Sequence, residues 1–128
     1  MKSPSVSAIT DALSPFEQAV EVGIGTRTDV AESLAKTGTA VVATDIVPRA
    51  VPPDVEFALD DVTDPAYGVY EGADVIYGLN LPPELHRSAD HVARRVDAAF
   101  FFTTLGGDEP AVPVTPQQVP GDTIYRVR

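Results

Sequence analysis

Two hydrophobic periods alternate along this chain, and each change of period marks a new element of secondary structure. Short apolar runs of the kind found in buried strands cover residues 19–24, 39–44, 55–59, 73–79 and 98–104. Apolar residues at helical spacing mark residues 6–13, 30–35 and 85–96. Because strands alternate with helices, the pattern predicts an α/β domain with a mostly parallel sheet.

Local signals place the ends of the predicted helices. Thr28 or Asp29 can cap the second helix at its N-terminus, and Gly38 lies where its C-terminal cap belongs. The proline pair at residues 82–83 suits the first turn of the third helix.

The connections at residues 46–54 and 62–72 are too short or too rich in proline for full crossover helices, leaving room for a single helical turn. We therefore expect a trimmed, doubly wound (Rossmann-like) sheet in one domain over residues 1–128. Residues 111–114 and 123–127 are two further strand candidates. We expect them to form a hairpin or edge strands, because prolines around them suit only edges.

Composition narrows the class of protein. The chain has no cysteine and no apolar run near the ~20 residues of a membrane helix, so we expect a cytoplasmic protein without disulfides. Nineteen Asp and Glu face nine Lys and Arg, for a net charge of −10. This balance fits adaptation to high salt or, alternatively, an acidic face for a basic partner. It makes direct nucleic-acid binding unfavourable, since that needs basic patches.

Four successive predicted strands end in acidic or amide residues, and parallel sheets bind ligands beyond these ends. The residues are Glu21, Gly23 and Gly25 after the first strand, Asp45 after the second, Asp60 and Asp61 after the third, and Asn80 after the fourth. Glycine lets backbone N–H groups approach a ligand. Asp45 lies 20 residues beyond Gly25, the offset expected of an acid that binds ribose hydroxyls. Together these residues predict an adenosyl-type ligand.

Each residue also has a plain structural interpretation. Gly23 and Gly25 can form a tight strand-to-helix corner without any ligand. Asp45 can be a turn residue or a helix cap, and Asp60 or Asp61 can begin an Asx turn.

This ordered set resembles the class I S-adenosylmethionine-dependent methyltransferases. The resemblance matches Glu21, Gly23 and Gly25 to that family's acid-x-Gly-x-Gly loop and Asp45 to its ribose-binding acid. It places Asp60 or Asp61 near the adenine and Asn80 near the transferred methyl group.

More narrowly, the stretches VEVGIGTRTDVA, LNLPPELHR and FFTTLGGDEP resemble the small archaeal UPF0146 family over nearly the whole chain. That likeness implies the fold but no particular reaction. We therefore expect a protein that binds S-adenosylmethionine, as a methyltransferase of unknown substrate or as a non-enzymatic binding or regulatory module. A protein partner or a homo-oligomer is left open.

Two departures from the methyltransferase pattern stand out. Arg27 takes the place of a third glycine, where it can assist or crowd the ligand. Residues 80–84 read Asn-Leu-Pro-Pro-Glu, whereas amino-methylating members carry Asn/Asp-Pro-Pro-aromatic, so methylation of a base is not expected. A nicotinamide-binding domain would need a glycine at Thr28, and the chain contains no P-loop.

Other polar and aromatic residues offer weaker candidates. His86 and Asp90, at i and i+4, read as a solvated surface pair or an acid–base pair, and no metal site is predicted. Tyr67, Tyr70 and Tyr77 can line a substrate site, although Tyr77 fits the core better. The loop after the fifth strand, TTLGGDEP, can be a lid or a plain connection.

Overall fold

The computed structural model describes residues 3–128 and arranges them around one seven-stranded sheet. The strands are β1 (Gln18–Glu21), β2 (Ala40–Asp45), β3 (Val55–Leu59), β4 (Val75–Gly78), β5 (Ala99–Phe102), β6 (Thr115–Val119) and β7 (Asp122–Arg126). Their order across the sheet is β3-β2-β1-β4-β5-β7-β6. Strands β1 to β5 are parallel, whereas β7 runs antiparallel to both β5 and β6.

Helices cover both faces of the sheet, as the alternating pattern predicts. They are α1 (Pro4–Leu13), α2 (Asp29–Lys36) and α3 (Pro83–Arg95). α1 and α2 pack together on one face, where the hydroxyls of Thr10 and Ser33 are hydrogen-bonded at 3.0 Å. α3 buries its apolar side on the other face.

Of the helices in residues 3–128, none has the length and apolar character needed to span a membrane.

Both ends of α2 are set by local backbone geometry. Thr28 is the N-cap residue but its side chain makes no capping bond, and Oδ1 of Asp29 accepts instead from Val30 N–H. Gly38 has φ +100°, and its N–H donates to the Ala35 carbonyl while Thr39 N–H donates to Leu34. This paired C-terminal arrangement confirms the stop predicted at Gly38.

The trimmed connections are confirmed. Residues 46–54 contain no helix, and the segment between β3 and β4 holds only a 3₁₀ turn, Tyr67–Val69. Consequently the β3 end of the sheet is thinly covered, and Leu59 is 60% exposed. The carboxyl end of β3 is therefore open to solvent.

The strand predicted at residues 111–114 is wrong, since the hairpin forms from β6 and β7. Ala111 N–H donates to Nδ1 of His86 at 3.0 Å rather than to a strand, and Pro113 has no N–H to offer. Pro116 instead lies inside β6, which the sheet tolerates because β6 is an edge strand. The expectation of an edge hairpin is confirmed, with its first strand displaced towards the C-terminus.

Surface charge leads to a first testable prediction. Of the nineteen acidic residues only Glu21 and Asp45 are buried, so the net charge of −10 is carried at the surface. Salt screens repulsion between exposed charges. The thermal midpoint, followed by circular dichroism, should therefore rise substantially between low and molar KCl. A midpoint that stays flat or falls would contradict an adaptation to high salt.

Candidate functional site

A cavity of about 520 Å³ opens at the carboxyl ends of β1, β2, β3 and β4. Its volume lies within the roughly 300–1,000 Å³ typical of small-molecule sites. Five predicted site residues line it: Gly23, Asp45, Asp60, Asp61 and Asn80. Parallel strand ends converge at one edge of a sheet, and here β1 lies between β2 and β4. The topology therefore brings together residues up to 57 positions apart in the chain.

The two glycines after β1 adopt backbone conformations that other residues rarely take. Gly23 has φ +67° and Gly25 has φ +57°, and beyond the adjacent residues no protein atom lies within 4 Å of a Cβ built at either position. The left-handed backbone, rather than lack of space, is therefore what requires glycine. Only Gly23 lines the cavity, while Gly25 N–H donates to Oδ2 of Asp45 at 2.9 Å.

Asp45 is held by three groups from two loops, one after β1 and one after β2. Besides Gly25 N–H, its Oδ2 accepts from Arg49 Nε at 3.3 Å, and its Oδ1 accepts from Val47 N–H at 3.3 Å. Burial by itself would raise the pKa of Asp45, but the backbone hydrogen bonds and the Arg49 charge outweigh it and hold the pKa below its ordinary value. The carboxylate is thus an ionised acceptor at the cavity wall.

Asp60 and Asp61 differ in what their carboxylates already bind. Asp60 accepts from Ala66 N–H at 2.9 Å and from the Tyr70 hydroxyl at 2.6 Å, one bond to each oxygen. Asp61 accepts through a single oxygen, Oδ1, from both the backbone N–H and the hydroxyl of Thr63. These bonds form an Asx turn. No described residue hydrogen-bonds to its Oδ2. Asp61 is therefore better placed than Asp60 to contact a ligand.

Asn80 is an exposed residue that lines the cavity and has an uncommon backbone conformation. Its φ is +49°, and its N–H donates to Oγ1 of the buried Thr103 at 2.8 Å. The backbone of Thr103 makes two further bonds: its carbonyl accepts from Leu81 N–H, and its N–H donates to the Gly78 carbonyl. Three hydrogen bonds to Thr103 therefore hold the turn after β4. The N-cap residue of α3 is Pro82, with no side-chain capping bond. Asn80 is therefore exposed at the cavity and does not cap the helix.

Glu21 lies at the end of β1 but does not line the cavity. It is 1% exposed, its Oε1 accepts from the Tyr77 hydroxyl at 2.7 Å, and its Oε2 has no hydrogen-bond partner among the described residues. Burial raises the pKa of Glu21 to about 8, although the Tyr77 bond and the Arg27 charge act in the opposite direction. The raised pKa favours the neutral carboxylic acid over the carboxylate at pH 7 for this residue, which precedes the glycine loop in the chain.

Both interpretations of His86 and Asp90 from the sequence are wrong. His86 is fully buried in α3, where one ring nitrogen contacts the Leu81 carbonyl at 2.8 Å and the other accepts from Ala111 N–H. Its ring packs on Phe102 with centroids 4.1 Å apart. Asp90 accepts from Arg94 instead. Helical spacing alone places His86 on the polar face of α3. It can be buried because backbone groups from outside α3 satisfy both of its ring nitrogens.

The remaining candidates lie away from the cavity. Tyr70 and Tyr77 are core residues, and Tyr67 packs against Arg95 at 4.6 Å from its ring centroid. None of the three tyrosines lines the cavity, and neither does the loop at residues 103–110. Arg27 pairs with Asp29 at 3.2 Å, outside the lining residues.

Sequence reasoning missed three contributors to the site. Ile46, which follows Asp45, is 69% exposed and lines the cavity. Arg49 forms an ion pair with Asp45, four residues before it in the chain. That spacing predicts an ion pair in a helix, but the sequence predicts no full helix in this loop. Thr103 carries no local signal, because its partner is 23 residues away.

Comparison with known proteins agrees with this architecture. The family model described as "Uncharacterised protein family (UPF0146)" matches residues 4–125. A UPF0146 protein of Halobacterium salinarum is 52% identical over 112 residues, which is 88% of this chain and 84% of the relative.

Solved methyltransferase structures share the fold at low sequence identity. Magnesium protoporphyrin IX methyltransferase from Synechocystis PCC 6803, with bound S-adenosylmethionine, has a TM-score of 0.65 at 13% identity over 95% of this chain and 76% of that one. An RNA methyltransferase from Salinibacter ruber, in complex with S-adenosylhomocysteine, has a TM-score of 0.57 at 17% identity, covering 98% and 90%. The predicted α/β sheet of the class I methyltransferase type is thereby confirmed.

Proposed function

The chain belongs to the UPF0146 family, and we propose that its cavity binds S-adenosylmethionine and serves methyl transfer to a substrate still to be identified. The observation that carries this proposal is the convergence of Gly23, Asp45, Asp61 and Asn80 on one cavity. Strand order and strand direction alone predict that these residues share one edge of the sheet. The adenosyl ligands named for structures of this fold support the choice of ligand.

The charge of the cavity favours this ligand over a dinucleotide. Three aspartates line the cavity and no lysine or arginine is among its lining residues. S-adenosylmethionine carries a sulfonium and an ammonium cation against one carboxylate and is net positive, whereas a nicotinamide dinucleotide brings a pyrophosphate that an acidic wall would repel. Arg49 brings one positive charge close to the cavity, but that charge is already paired with Asp45.

Each part of the ligand has a chemically matched position. We assign the ribose hydroxyls to the Asp45 carboxylate, and the adenine to the exposed face of Ile46 with Asp61 beside it. The methionine portion would lie against the loop at Gly23 and Gly25, where no Cβ obstructs the backbone. Asn80 would then face the methyl group from the end of β4, the neighbour of β1.

S-adenosylmethionine supplies an activated methyl group, and the protein's part in such a transfer is mainly to align two reactants. The Asn80 amide can both donate and accept, so it can orient a hydroxyl or an amine towards that group. The second candidate is a binding or regulatory module without activity. It is favoured by the missing crossover helices on either side of β3, which leave few elements to recognise a substrate.

Binding tests the ligand assignment directly. Calorimetry of the wild type with S-adenosylmethionine and S-adenosylhomocysteine should give saturable 1:1 binding. Asp45→Ala should weaken that binding roughly 10- to 150-fold, because charge-assisted bonds to the ribose contribute about 1.5–3 kcal/mol.

Asp64→Ala is a matched control, since it removes one exposed carboxylate next to the cavity-lining Thr63 without touching the cavity. It should leave the Kd nearly unchanged. Thermal melts of both variants separate lost binding from lost folding. A calorimetric blank for the wild type at millimolar ligand would end the proposal.

A further inference from the structure

The carboxylate assigned to the ribose is already nearly saturated with donors in the free protein. A carboxylate oxygen has two acceptor positions. Oδ2 of Asp45 uses both, for Gly25 N–H at 2.9 Å and Arg49 Nε at 3.3 Å. Oδ1 accepts from Val47 N–H at 3.3 Å and keeps one position. At most one acceptor position is thus left for an incoming ligand.

A ribose presents two vicinal hydroxyls, and bidentate binding to Asp45 needs two acceptor positions. The backbone donors at Gly25 and Val47 belong to the loops that shape the cavity, whereas Arg49 is a side chain and can leave. We propose that Arg49 is a latch on the ribose position: it holds Asp45 in the free protein and releases it when a ligand with a ribose diol binds. This inference rests on the proposed adenosyl site.

The surroundings of Arg49 suit a side chain that moves. It lies in the segment between β2 and β3, which has no regular secondary structure, and its side chain is 34% exposed. Its only ion-pair partner among the described residues is Asp45, whose side chain is 9% exposed. Released Arg49 would be solvated by water, so the cost of opening is that of one partly exposed ion pair.

The latch makes an unusual prediction for a positively charged residue beside an acidic cavity. Arg49→Gln should strengthen the binding of S-adenosylhomocysteine, whose sulfur is uncharged, by about 3- to 5-fold, because the ligand no longer displaces an ion pair. Adenosine, followed by ligand-observed NMR, should gain by the same factor. The affinity of 2′,3′-dideoxyadenosine, which has no diol, should not change.

Arg94→Gln is the matched control, since Arg94 Nε makes the same i,i+4 contact with Asp90 Oδ2, at 3.0 Å, on α3. It should leave all three affinities unchanged. Equal or weaker binding of S-adenosylhomocysteine by Arg49→Gln, or an equal gain for the dideoxy compound, would overturn the latch while leaving the adenosyl site standing. Absence of binding in both the wild type and Arg49→Gln would overturn the adenosyl site and the latch with it.

Discussion

Replacing Glu21 by glutamine should stabilise this protein at alkaline pH and leave its stability at pH 4.5 nearly unchanged. The carboxyl is 1% exposed, with Oε2 unpartnered and Oε1 bonded to the Tyr77 hydroxyl. A neutral acid tolerates such a place far better than a carboxylate does. Burial accordingly raises its pKa from 4.5 to about 8.

The sign of the pH dependence follows from proton binding. Between pH 4.5 and 8 the folded protein keeps a proton on Glu21 that the unfolded chain has lost, so stability falls as pH rises. Below that window both states are protonated, and above it both are ionised. At about 1.4 kcal/mol per pH unit, the loss across the window amounts to about 5 kcal/mol. Glutamine resembles the neutral acid and cannot ionise, so this part of the pH dependence should vanish.

Urea unfolding at several pH values between 4.5 and 9, in molar KCl, measures the effect. The free energies of unfolding of wild type and Glu21→Gln should coincide at pH 4.5. As pH rises, the wild type should become progressively less stable than Glu21→Gln. Glu17→Gln removes an exposed carboxyl on the same segment and should track the wild type throughout. Parallel curves for wild type and Glu21→Gln would mean that Glu21 is ionised in the folded protein at pH 7.

The contrast between Glu21 and Asp45 shows what sequence reasoning could reach. Both were predicted as ligand contacts because acids at the ends of parallel strands converge on one edge. The structure places Asp45, Asp61 and Asn80 at one cavity, as the rule predicts from chain order and strand direction alone. The rule could not identify the protonation state of Glu21, which is decided by burial inside the folded sheet. The hydrogen-bond partner of Glu21, the Tyr77 hydroxyl, lies 56 residues away on the neighbouring strand β4.

Similar limits explain the other misassignments. Periodicity locates a helix face but not what covers it, so the buried position of His86 depended on the loop at Ala111. The shift of β6 to Thr115–Val119 also depended on pairing with β7 rather than on local apolar content. In each case a long-range backbone partner overrode a local pattern.

Methyl transfer by this protein should depend on Asn80 far more than ligand binding does. Asn80→Ala should lower the rate by roughly 100-fold or more while changing the Kd for S-adenosylmethionine little, since the amide would orient the acceptor in the transition state. Asn80 is exposed at the cavity, and Thr103 holds its backbone N–H rather than its side chain. The side-chain amide is therefore free to contact a substrate. Labelled S-adenosylmethionine offered with small-molecule and macromolecular fractions of a host extract measures the rate.

Backbone strain must be separated from loss of the amide, because Asn80 has φ +49° and alanine is disfavoured there. Asn80→Gly removes the amide and relieves the strain, so it should be as inactive as Asn80→Ala but more stable to heat. Asn80→Asp keeps the shape and the acceptor oxygens but loses the donor. Recovered activity in Asn80→Gly would assign the effect to strain. A wild type that binds S-adenosylmethionine but transfers no methyl group to any fraction would contradict the methyltransferase and support the non-enzymatic module. In that case Asn80 variants should alter only ligand affinity or stability, and only modestly.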